Sequence, residues 1–173
     1  PQFIWEPCDE TNYSRILDSY QDADLLAIDI ETAREPYIHI KEVGYTAVWF
    51  RPDGKGSPIT THSCVVELDS VSKLSIVRTL NQLPVAKVMQ NGKYDNAYLA
   101  RYDAVPVNYL WDTATLMHCW YSELPKDLAF LGAFFSREAM YWKDLSASGN
   151  KRDQLLYNCK DTYTTALAFL QMM

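Results

Sequence analysis

Carboxylate and phenol side chains occur in this chain at spacings that would place them on one face of a strand or helix. Asp29 and Glu31 are separated by one residue at the end of an apolar run, and Tyr157 and Asp161 are four residues apart. Residues two apart on a strand share a face, as do residues four apart on a helix. Carboxylates gathered in this way could hold a divalent metal ion, and a phenol beside them could orient a water. Taken singly, each pair is also explained by solvated surface groups.

A further acid, Asp95, ends the segment Asn91–Asp95 (NGKYD) at a predicted strand-to-helix junction. In isolation it is explained as an acid in the first turn of a helix, where the helix dipole favours negative charge. Asp112, Asp127 and Asp144 each precede an apolar segment and are interpreted as helix caps or solvated acids. None of these features alone predicts a catalytic site.

The hydrophobicity pattern predicts the elements that must position these groups. Strands are predicted at Asp24–Ile30, Ile38–Phe50, Ile59–Val66, Val85–Gln90 and Val107–Trp111. Helices are predicted at Val71–Leu83, Gly92–Tyr102, Thr113–Tyr121, Asp127–Phe135 and Lys151–Met172. This order predicts an α/β fold with a mixed five-stranded sheet, in which three antiparallel strands precede parallel strands and helices flank the sheet.

The bulk composition sets limits on the class of protein. The 173 residues suit a single domain spanning residues 1–173, and the hydrophobic fraction of 48% is ordinary for a globular chain. The net charge of −6 disfavours tight autonomous binding to nucleic acid, which normally requires a basic patch. It does not disfavour an enzyme that gathers carboxylates around metal ions, because the ions supply the positive charge.

Cysteine usage and hydropathy exclude other classes. The four cysteines form no C-x-x-C pair, so neither a zinc site nor a disulfide framework is expected. No stretch approaches the ~20 apolar residues of a membrane span, and there is no signal peptide, so no membrane association is expected. The sequence predicts a cytoplasmic location in a bacterial or phage-infected cell, with an organelle left open.

Taken together and in this order, the motifs resemble those of the DnaQ-like, or DEDD, 3′→5′ exonuclease superfamily, which implies a ribonuclease H-like fold. The motifs D-x-E, N-x-x-x-D and Y-x-x-x-D are matched by Asp29 and Glu31, Asn91 and Asp95, and Tyr157 and Asp161. The histidine subtype carries His five residues before the last acid, where this chain has Leu156. Tyr157 therefore identifies the tyrosine subtype, DEDDy.

Within this subtype, Gln90–Asp95 (QNGKYD) is similar to the second motif of the proofreading domain of family A DNA polymerases. Trp111–Thr113 is similar to a later segment of those domains, and Tyr157–Thr162 to phage-type members. This resemblance implies an editing domain excised from, or linked to, a DNA polymerase. A stand-alone ribonuclease-D-like exoribonuclease, a non-catalytic structural exonuclease domain and a binding module with coincidental motifs remain alternatives.

The resemblance also implies a mechanism that uses two Mg²⁺ or Mn²⁺ ions. Asp29 would bridge both ions, Glu31 and Asp161 would complete the site that generates the nucleophile, and Asp95 would hold the second ion through water. Tyr157 would orient the attacking water. Its ordinary pKa of about 10 makes it a poor general base.

The implied substrate is the single-stranded or frayed 3′ end of DNA, and the products are nucleoside 5′-monophosphates. Residues expected to contact the nucleic acid are Thr32, Asn91, Lys93 and Tyr94, with Tyr141, Trp142 and Lys143 as further candidates along the strand path. Gly92 stands where the polymerase pattern carries a larger apolar residue, which leaves the packing beside the terminal base open.

Overall fold

A mixed sheet forms the centre of the fold in a computed structural model that describes residues 1–136, 142 and 144–173. Its six strands in the described residues are β1 Trp5–Pro7, β2 Leu25–Ala33, β3 His39–Trp49, β4 Thr60–Glu67, β5 Lys87–Met89 and β6 Tyr109–Asp112. Their spatial order is β1-β4-β3-β2-β5-β6. Strands β2, β3 and β4 are antiparallel, β5 and β6 run parallel to β2, and β1 runs parallel to β4.

The predicted architecture of the sheet is confirmed, but the predicted count of five strands is wrong. The additional strand is β1, a three-residue strand at the edge of the sheet that ends in Pro7. A strand this short shows too little alternation of apolar and polar residues to be recognised in sequence. Its position at the edge also explains why a proline is tolerated there.

The helices of the described residues flank this sheet. They are α1 Tyr13–Tyr20, α2 Val71–Asn81, α3 Gly92–Leu99, α4 Thr113–Trp120, α5 Leu128–Phe135, α6 Asp144–Ala147 and α7 Lys151–Met172, with a 3₁₀ turn at Ala100–Tyr102. Asp112 and Asp127 cap α4 and α5, since their side chains accept hydrogen bonds from the backbone nitrogens of Thr115 and Phe130. Asp144 lies in the first turn of α6.

The two faces of β2 pack against different helices. Leu26, Ile28 and Ile30 face a large apolar cluster that includes Ile16 of α1 and Leu80 of α2. The alternate residues of the same strand belong to a second cluster with α7, whose members include Leu25, Ala27, Ala166 and Phe169. Because strand residues alternate between faces, Asp29 and Glu31 continue the α7 face of the strand.

Helix α7 lies across β2, β3 and β4, and buried polar contacts fix it there. The hydroxyl of Thr162 lies 2.8 Å from that of Thr46 on β3, which in turn lies 2.7 Å from the hydroxyl of Ser63 on β4. Helix α5 packs on the other side of α7 through a cluster that includes Leu131 and Ala168. These contacts bring the motif-bearing part of α7 over the end of β2.

None of the helices in the described part of the chain is both long enough and apolar enough to cross a bilayer.

Candidate metal centre

Three carboxylates meet where α7 crosses the end of β2. One carboxylate oxygen from each of Asp29, Glu31 and Asp161 can be chosen so that all three lie within 4.8 Å of one another. Asp29 and Glu31 come from alternate positions of the same strand face, and Asp161 comes from α7. The structure therefore brings together three of the four acids singled out as metal ligands, from positions more than 120 residues apart.

Burial and mutual repulsion make this cluster costly in its ionised form. Burial, with repulsion from Asp95, Asp161 and Glu31, raises the pKa of Asp29 well above its ordinary value. Burial, with repulsion from Asp161 and Glu42, raises the pKa of Glu31 to about 7. A divalent cation would remove this repulsion, and an all-oxygen donor set suits Mg²⁺ or Mn²⁺. The residues present therefore fit the metal ions that the motifs imply.

The fourth acid, Asp95, adjoins the other three without joining their cluster. It lies in the first turn of α3, is buried, and its Oδ1 accepts a hydrogen bond of 3.1 Å from the backbone nitrogen of Ile30. Burial raises the pKa of Asp95 to about 6. This contact anchors α3 to β2 between Asp29 and Glu31, and it leaves the second oxygen of Asp95 available for a further partner.

A tight junction between β5 and α3 fixes the direction of Asp95. Asn91 has a left-handed backbone with φ of 54°, and the carboxylate of Asp112 accepts hydrogen bonds from the backbone nitrogens of Asn91 and Gly92 at 3.3 and 2.8 Å. Tyr109 donates to the same carboxylate at 2.7 Å. Asp112, which caps α4, therefore also fixes the backbone of the second motif at Asn91 and Gly92. This second role of Asp112 was not predicted from the sequence.

Gly92 is required by close packing at this junction. A Cβ added to Gly92 would lie 2.6 Å from the Cβ of Met89 and 2.7 Å from the hydroxyl oxygen of Tyr109. No side chain fits there without movement of its neighbours. The polymerase pattern has a larger residue at this position. In this chain, the side chains of Met89 and Tyr109 fill the space that such a residue would occupy.

The phenol of Tyr157 lies beside the acids and is held neutral by them. Burial, repulsion from Asp161 and Glu31, and a hydrogen bond to Asp161 raise the pKa of Tyr157 far above its ordinary value. A neutral phenol can donate a hydrogen bond to a water or a phosphate oxygen, but it is a poor proton acceptor at neutral pH. The arrangement suits an orienting role rather than a general base.

Trp142 contacts the cluster directly. It is buried, and its indole nitrogen donates a 2.6 Å hydrogen bond to Oδ1 of Asp161. The sequence placed this residue along the path of a bound strand, whereas the structure places it against a carboxylate of the candidate site. Its two neighbours in that prediction, Tyr141 and Lys143, lie outside the described residues.

Two further polar residues lie at the site, although the sequence analysis did not predict them there. Nδ2 of Asn158 lies 3.4 Å from Oδ2 of Asp29, and Asn158 is fully buried. Glu42 on β3 pairs in register with Glu31 and is only 1% exposed, and burial raises its pKa. The sequence did contain a pattern that points to Glu42. Glu42 alternates with Gly44 and Thr46 along β3, so all three residues lie on the same face of that strand.

The residues predicted to contact nucleic acid lie around Tyr94 on α3. Tyr94 is 48% exposed, and its hydroxyl lies 3.4 Å from that of Thr32 at the end of β2. Its ring packs against Tyr98 at 4.8 Å, and the guanidinium carbon of Arg101 lies 4.7 Å from the centre of the Tyr98 ring. Asn91 and Lys93 are also exposed beside this surface.

Solved structures with the same fold are nucleases. RNase D of Trypanosoma brucei superposes with a TM-score of 0.71 at 12% identity, over 99% of this chain and 65% of that one. RNase D of Escherichia coli, described as an exoribonuclease involved in structured RNA processing, gives 0.65 at 16% identity, over 99% and 44%. Brucella melitensis NrnC with bound Mg²⁺ gives 0.62 at 17% identity, over 99% and 79%.

These likenesses define the fold as the ribonuclease H-like fold of such exonucleases. The chain spans about half the length of some of these relatives, such as the catalytic core of T. brucei RRP6, of which it covers 46%. The named neighbours give no particular support to the predicted closeness to family A polymerase domains. No protein-family model matches the chain, and no curated protein does either.

Proposed function

We propose that this chain is a two-metal-ion 3′→5′ exonuclease of the tyrosine DEDD subtype. The observation that carries the proposal is the meeting of three carboxylates and a neutral phenol at the end of the central strand. They are Asp29, Glu31, Asp161 and Tyr157. The shared fold supports it, because one solved structure with this fold is an exoribonuclease and another contains bound Mg²⁺.

The chain's own residues divide into metal ligands and a water-orienting group. Asp29, Glu31 and Asp161 would hold one Mg²⁺ or Mn²⁺ ion, and Asp29 and Asp95 would hold a second. When bound, such ions activate a water and stabilise the charge on the attacking and leaving oxygens. Tyr157 would donate its hydroxyl proton to a hydrogen bond that aims the attacking water at the terminal phosphodiester.

The substrate proposed is the single-stranded 3′ end of a nucleic acid. Aromatic rings bind unpaired bases by stacking, regardless of sequence, and the exposed ring of Tyr94 beside Thr32 is suited to this. Asn91 and Lys93 would contact the terminal nucleotide and its phosphate. Because the chain is acidic overall, we propose that the ions and this local surface, rather than general charge attraction, hold the strand.

The choice between DNA and RNA separates two candidate roles. The RNase D neighbours favour RNA trimming by a nuclease that acts without a polymerase. The segment Gln90–Asp95 favours editing of frayed DNA ends by a domain linked to or associated with a DNA polymerase. A non-catalytic structural domain is disfavoured, because the four acids and Tyr157 are all present.

The activity is tested with single-stranded oligonucleotides that carry a label at the 5′ end, incubated with Mg²⁺, Mn²⁺ or EDTA. We expect a ladder shortened one nucleotide at a time from the 3′ end, dependent on metal. Asp29→Ala and Asp161→Ala should abolish it while the protein stays folded, whereas Asp18→Ala, at an exposed position on α1, should cleave at the wild-type rate. Wild-type cleavage by Asp29→Ala would contradict the assigned site.

The substrate class follows from matched DNA and RNA oligonucleotides of one sequence. Faster trimming of RNA would support the ribonuclease role and remove the editing role. Faster trimming of DNA, especially of mismatched primer ends over paired ones, would support the editing role. No degradation of either by a folded sample with Mn²⁺ would support the non-catalytic alternative.

A further inference from the structure

The side chain of Asn158 occupies an unusual position inside the third motif. It is fully buried between α7 and β3, and Nδ2 approaches Oδ2 of Asp29 at 3.4 Å. Its Oδ1 is buried and has no hydrogen-bond partner in the part of the chain that the structure describes. A buried amide with an unpaired oxygen costs free energy, so a simple packing role would be better served by an apolar side chain.

Gly44 on β3 provides the space for this amide. It is the register partner of Asp29, so the two residues lie side by side on adjacent strands. A Cβ added to Gly44 would lie 1.5 Å from Oδ1 of Asn158, which means that a hydrogen of the glycine Cα points at this oxygen. Such Cα–H···O contacts are weak, and they compensate only part of the lost hydrogen bond. Any other residue at position 44 would expel the amide.

The orientation of the amide determines what it can do. With Oδ1 turned to Gly44, the only part of Asn158 that faces Asp29 is the NH₂ group, which donates hydrogen bonds and cannot bind a cation. Asn158 is therefore not a metal ligand in this arrangement. Its NH₂ group can hold one oxygen of Asp29 and leave the other oxygen, and the remaining lone pairs, directed at the cluster with Glu31 and Asp161.

We propose that Asn158 is a positioning residue for the metal site, which holds the carboxylate of Asp29 in place, and that Gly44 is glycine to admit it. The inference rests on the proposed function, since it assumes that Asp29 binds metal. Partners that hydrogen-bond to ligating carboxylates fix their orientation, and loss of such a partner commonly weakens metal binding by about 10- to 100-fold.

The next turn of α7 offers a matched control. Thr162 follows Asn158 by four residues and meets Thr46, two residues beyond Gly44 on β3. Both Asn158 and Thr162 are fully buried polar residues at the α7–β3 contact. Thr162 directly follows Asp161, but its hydroxyl bonds to Thr46 and to the backbone oxygen of Cys159 and, within the described residues, to no acid of the cluster. Thr162→Val therefore removes a buried polar contact of the same interface and leaves the contact between Asn158 and Asp29 in place.

The test measures the dissociation constant for Mn²⁺ by calorimetry on the full chain, together with the melting temperature in EDTA. We expect Asn158→Ala to weaken Mn²⁺ binding by about 10- to 100-fold. Thr162→Val should lower the melting temperature and leave the Mn²⁺ affinity unchanged. Gly44→Ala should lower the melting temperature strongly, because its methyl group collides with the Asn158 amide.

The double variant Gly44→Ala with Asn158→Ala separates space from hydrogen bonding. Its melting temperature should partly recover relative to Gly44→Ala, since the collision with the amide is gone and only a tight 3.2 Å contact with the backbone oxygen of residue 158 remains. Its Mn²⁺ binding should stay as weak as in Asn158→Ala. If Asn158→Ala alone does not fold, the double variant replaces it in the test, because the methyl group introduced at position 44 fills part of the space left by the Asn158 amide. Wild-type Mn²⁺ affinity in the folded variants that lack Asn158 would overturn the inference alone, whereas no Mn²⁺ binding by the wild-type protein would overturn the proposed function and the inference together.

Discussion

Tyr157 shows at the scale of one residue how the site separates orientation from proton transfer. Its phenol lies among acids that oppose formation of a phenolate, so its pKa is raised by burial and by Asp161 and Glu31. A group that remains protonated well above neutral pH can donate a hydrogen bond throughout the working range. A neutral phenol is a poor proton acceptor, so in the proposed reaction the attacking water would lose its proton to another group.

This argument predicts a moderate effect for Tyr157→Phe. Loss of one hydrogen bond of about 1–2 kcal/mol in the transition state should slow single-turnover cleavage by roughly 5- to 30-fold. Because even an unperturbed phenol has a pKa of about 10, wild-type cleavage should show no loss of rate attributable to tyrosine ionisation up to about pH 9. Tyr163→Phe is the control, since that phenol donates to the backbone oxygen of Pro1. A loss of more than about 10³-fold in Tyr157→Phe, with a rate that follows ionisation of one group, would contradict an orienting role.

Single residues differ in how well the sequence predicts their position in the site. The shared faces of Asp29 with Glu31, and of Tyr157 with Asp161, follow from strand and helix periods alone. The contact between Asn158 and Asp29 joins residues 129 positions apart and depends on the glycine at position 44. No local pattern encodes such an approach, which is why this amide was missed. The hydrogen bond from Trp142 to Asp161, 19 positions away, could not be predicted for the same reason.

At the scale of elements, the position of α3 relative to β2 decides where Asp95 points. The junction before α3 is held by Asp112 and has no free space at Gly92. A larger residue at position 92 must displace Met89 or Tyr109, and Tyr109 is itself a partner of Asp112. The orientation of the helix and the position of the acid are therefore coupled.

Gly92→Ala should destabilise the protein and impair the site together. Overpacking at a site without space typically costs about 1–3 kcal/mol, which urea unfolding would measure as a lower midpoint at unchanged slope. We also expect slower cleavage in the fraction that remains folded, because Asp95 moves with α3. Ala97→Ser, at an exposed position of the same helix, should affect neither. Wild-type stability and rate in Gly92→Ala would show that the junction is less tightly packed than the structure indicates.

The aromatic residues on α3 lead to a prediction about how binding depends on substrate length. Tyr98 and Arg101 extend the aromatic surface of Tyr94 away from the acids. Base stacking on an aromatic ring contributes about 1–3 kcal/mol when measured by alanine substitution. Tyr98→Ala should therefore raise KM by roughly 5- to 160-fold for oligonucleotides long enough to reach it, and should leave a dinucleotide unaffected. Tyr121→Ala removes an exposed aromatic ring on the α4–α5 side, away from α3, and serves as the control for loss of a tyrosine ring.

The elements were predicted best where their patterns are long. Strands β2 to β4 and helix α7 were predicted from apolar runs and period, and the alternation along β2 put Asp29 and Glu31 on one face. Strand β2 continues beyond its predicted end at Ile30 to Ala33, with a register irregularity between Glu31 and Thr32. Strand β1 was missed because three residues carry too weak a signal to separate from a loop. Helix α1 was missed because it buries only Ile16 and Tyr20 and, unlike the equally short helices α4 and α5, has no side-chain cap.

At the scale of the whole molecule, the fold places a charge cluster where burial makes ionisation costly. The predominance of acids over bases, which gives a net charge of −6, adds to the repulsion that the cluster experiences. Glu42, buried next to Glu31, adds a further acid of raised pKa. The metal-free fold should therefore be under strain near neutral pH, and bound cations should relieve it.

Stability of the metal-free protein should consequently fall as the pH rises. The pKa of Glu31 is raised from about 4.5 to about 7, and that of Asp95 from about 3.8 to about 6. A group whose folded pKa lies above its unfolded pKa gives stability that is present below the unfolded value and is lost as pH rises through the folded value. In EDTA, the free energy of unfolding should decrease between about pH 5 and pH 8.

Two measurements separate this contribution from the rest of the molecule. Glu31→Gln should flatten the decrease between about pH 4.5 and pH 7, since its amide does not titrate in the range where the Glu31 carboxyl does. Millimolar Mg²⁺ should restore the stability of the wild-type protein at pH 8, because an ion that binds only the folded state stabilises it by mass action. Mg²⁺ should have a smaller effect at pH 5, where protons compete for the same oxygens. An equal pH dependence in the wild-type protein and Glu31→Gln would mean that the cluster is more hydrated than its burial indicates, and that the metal ions are not needed to hold its charges together.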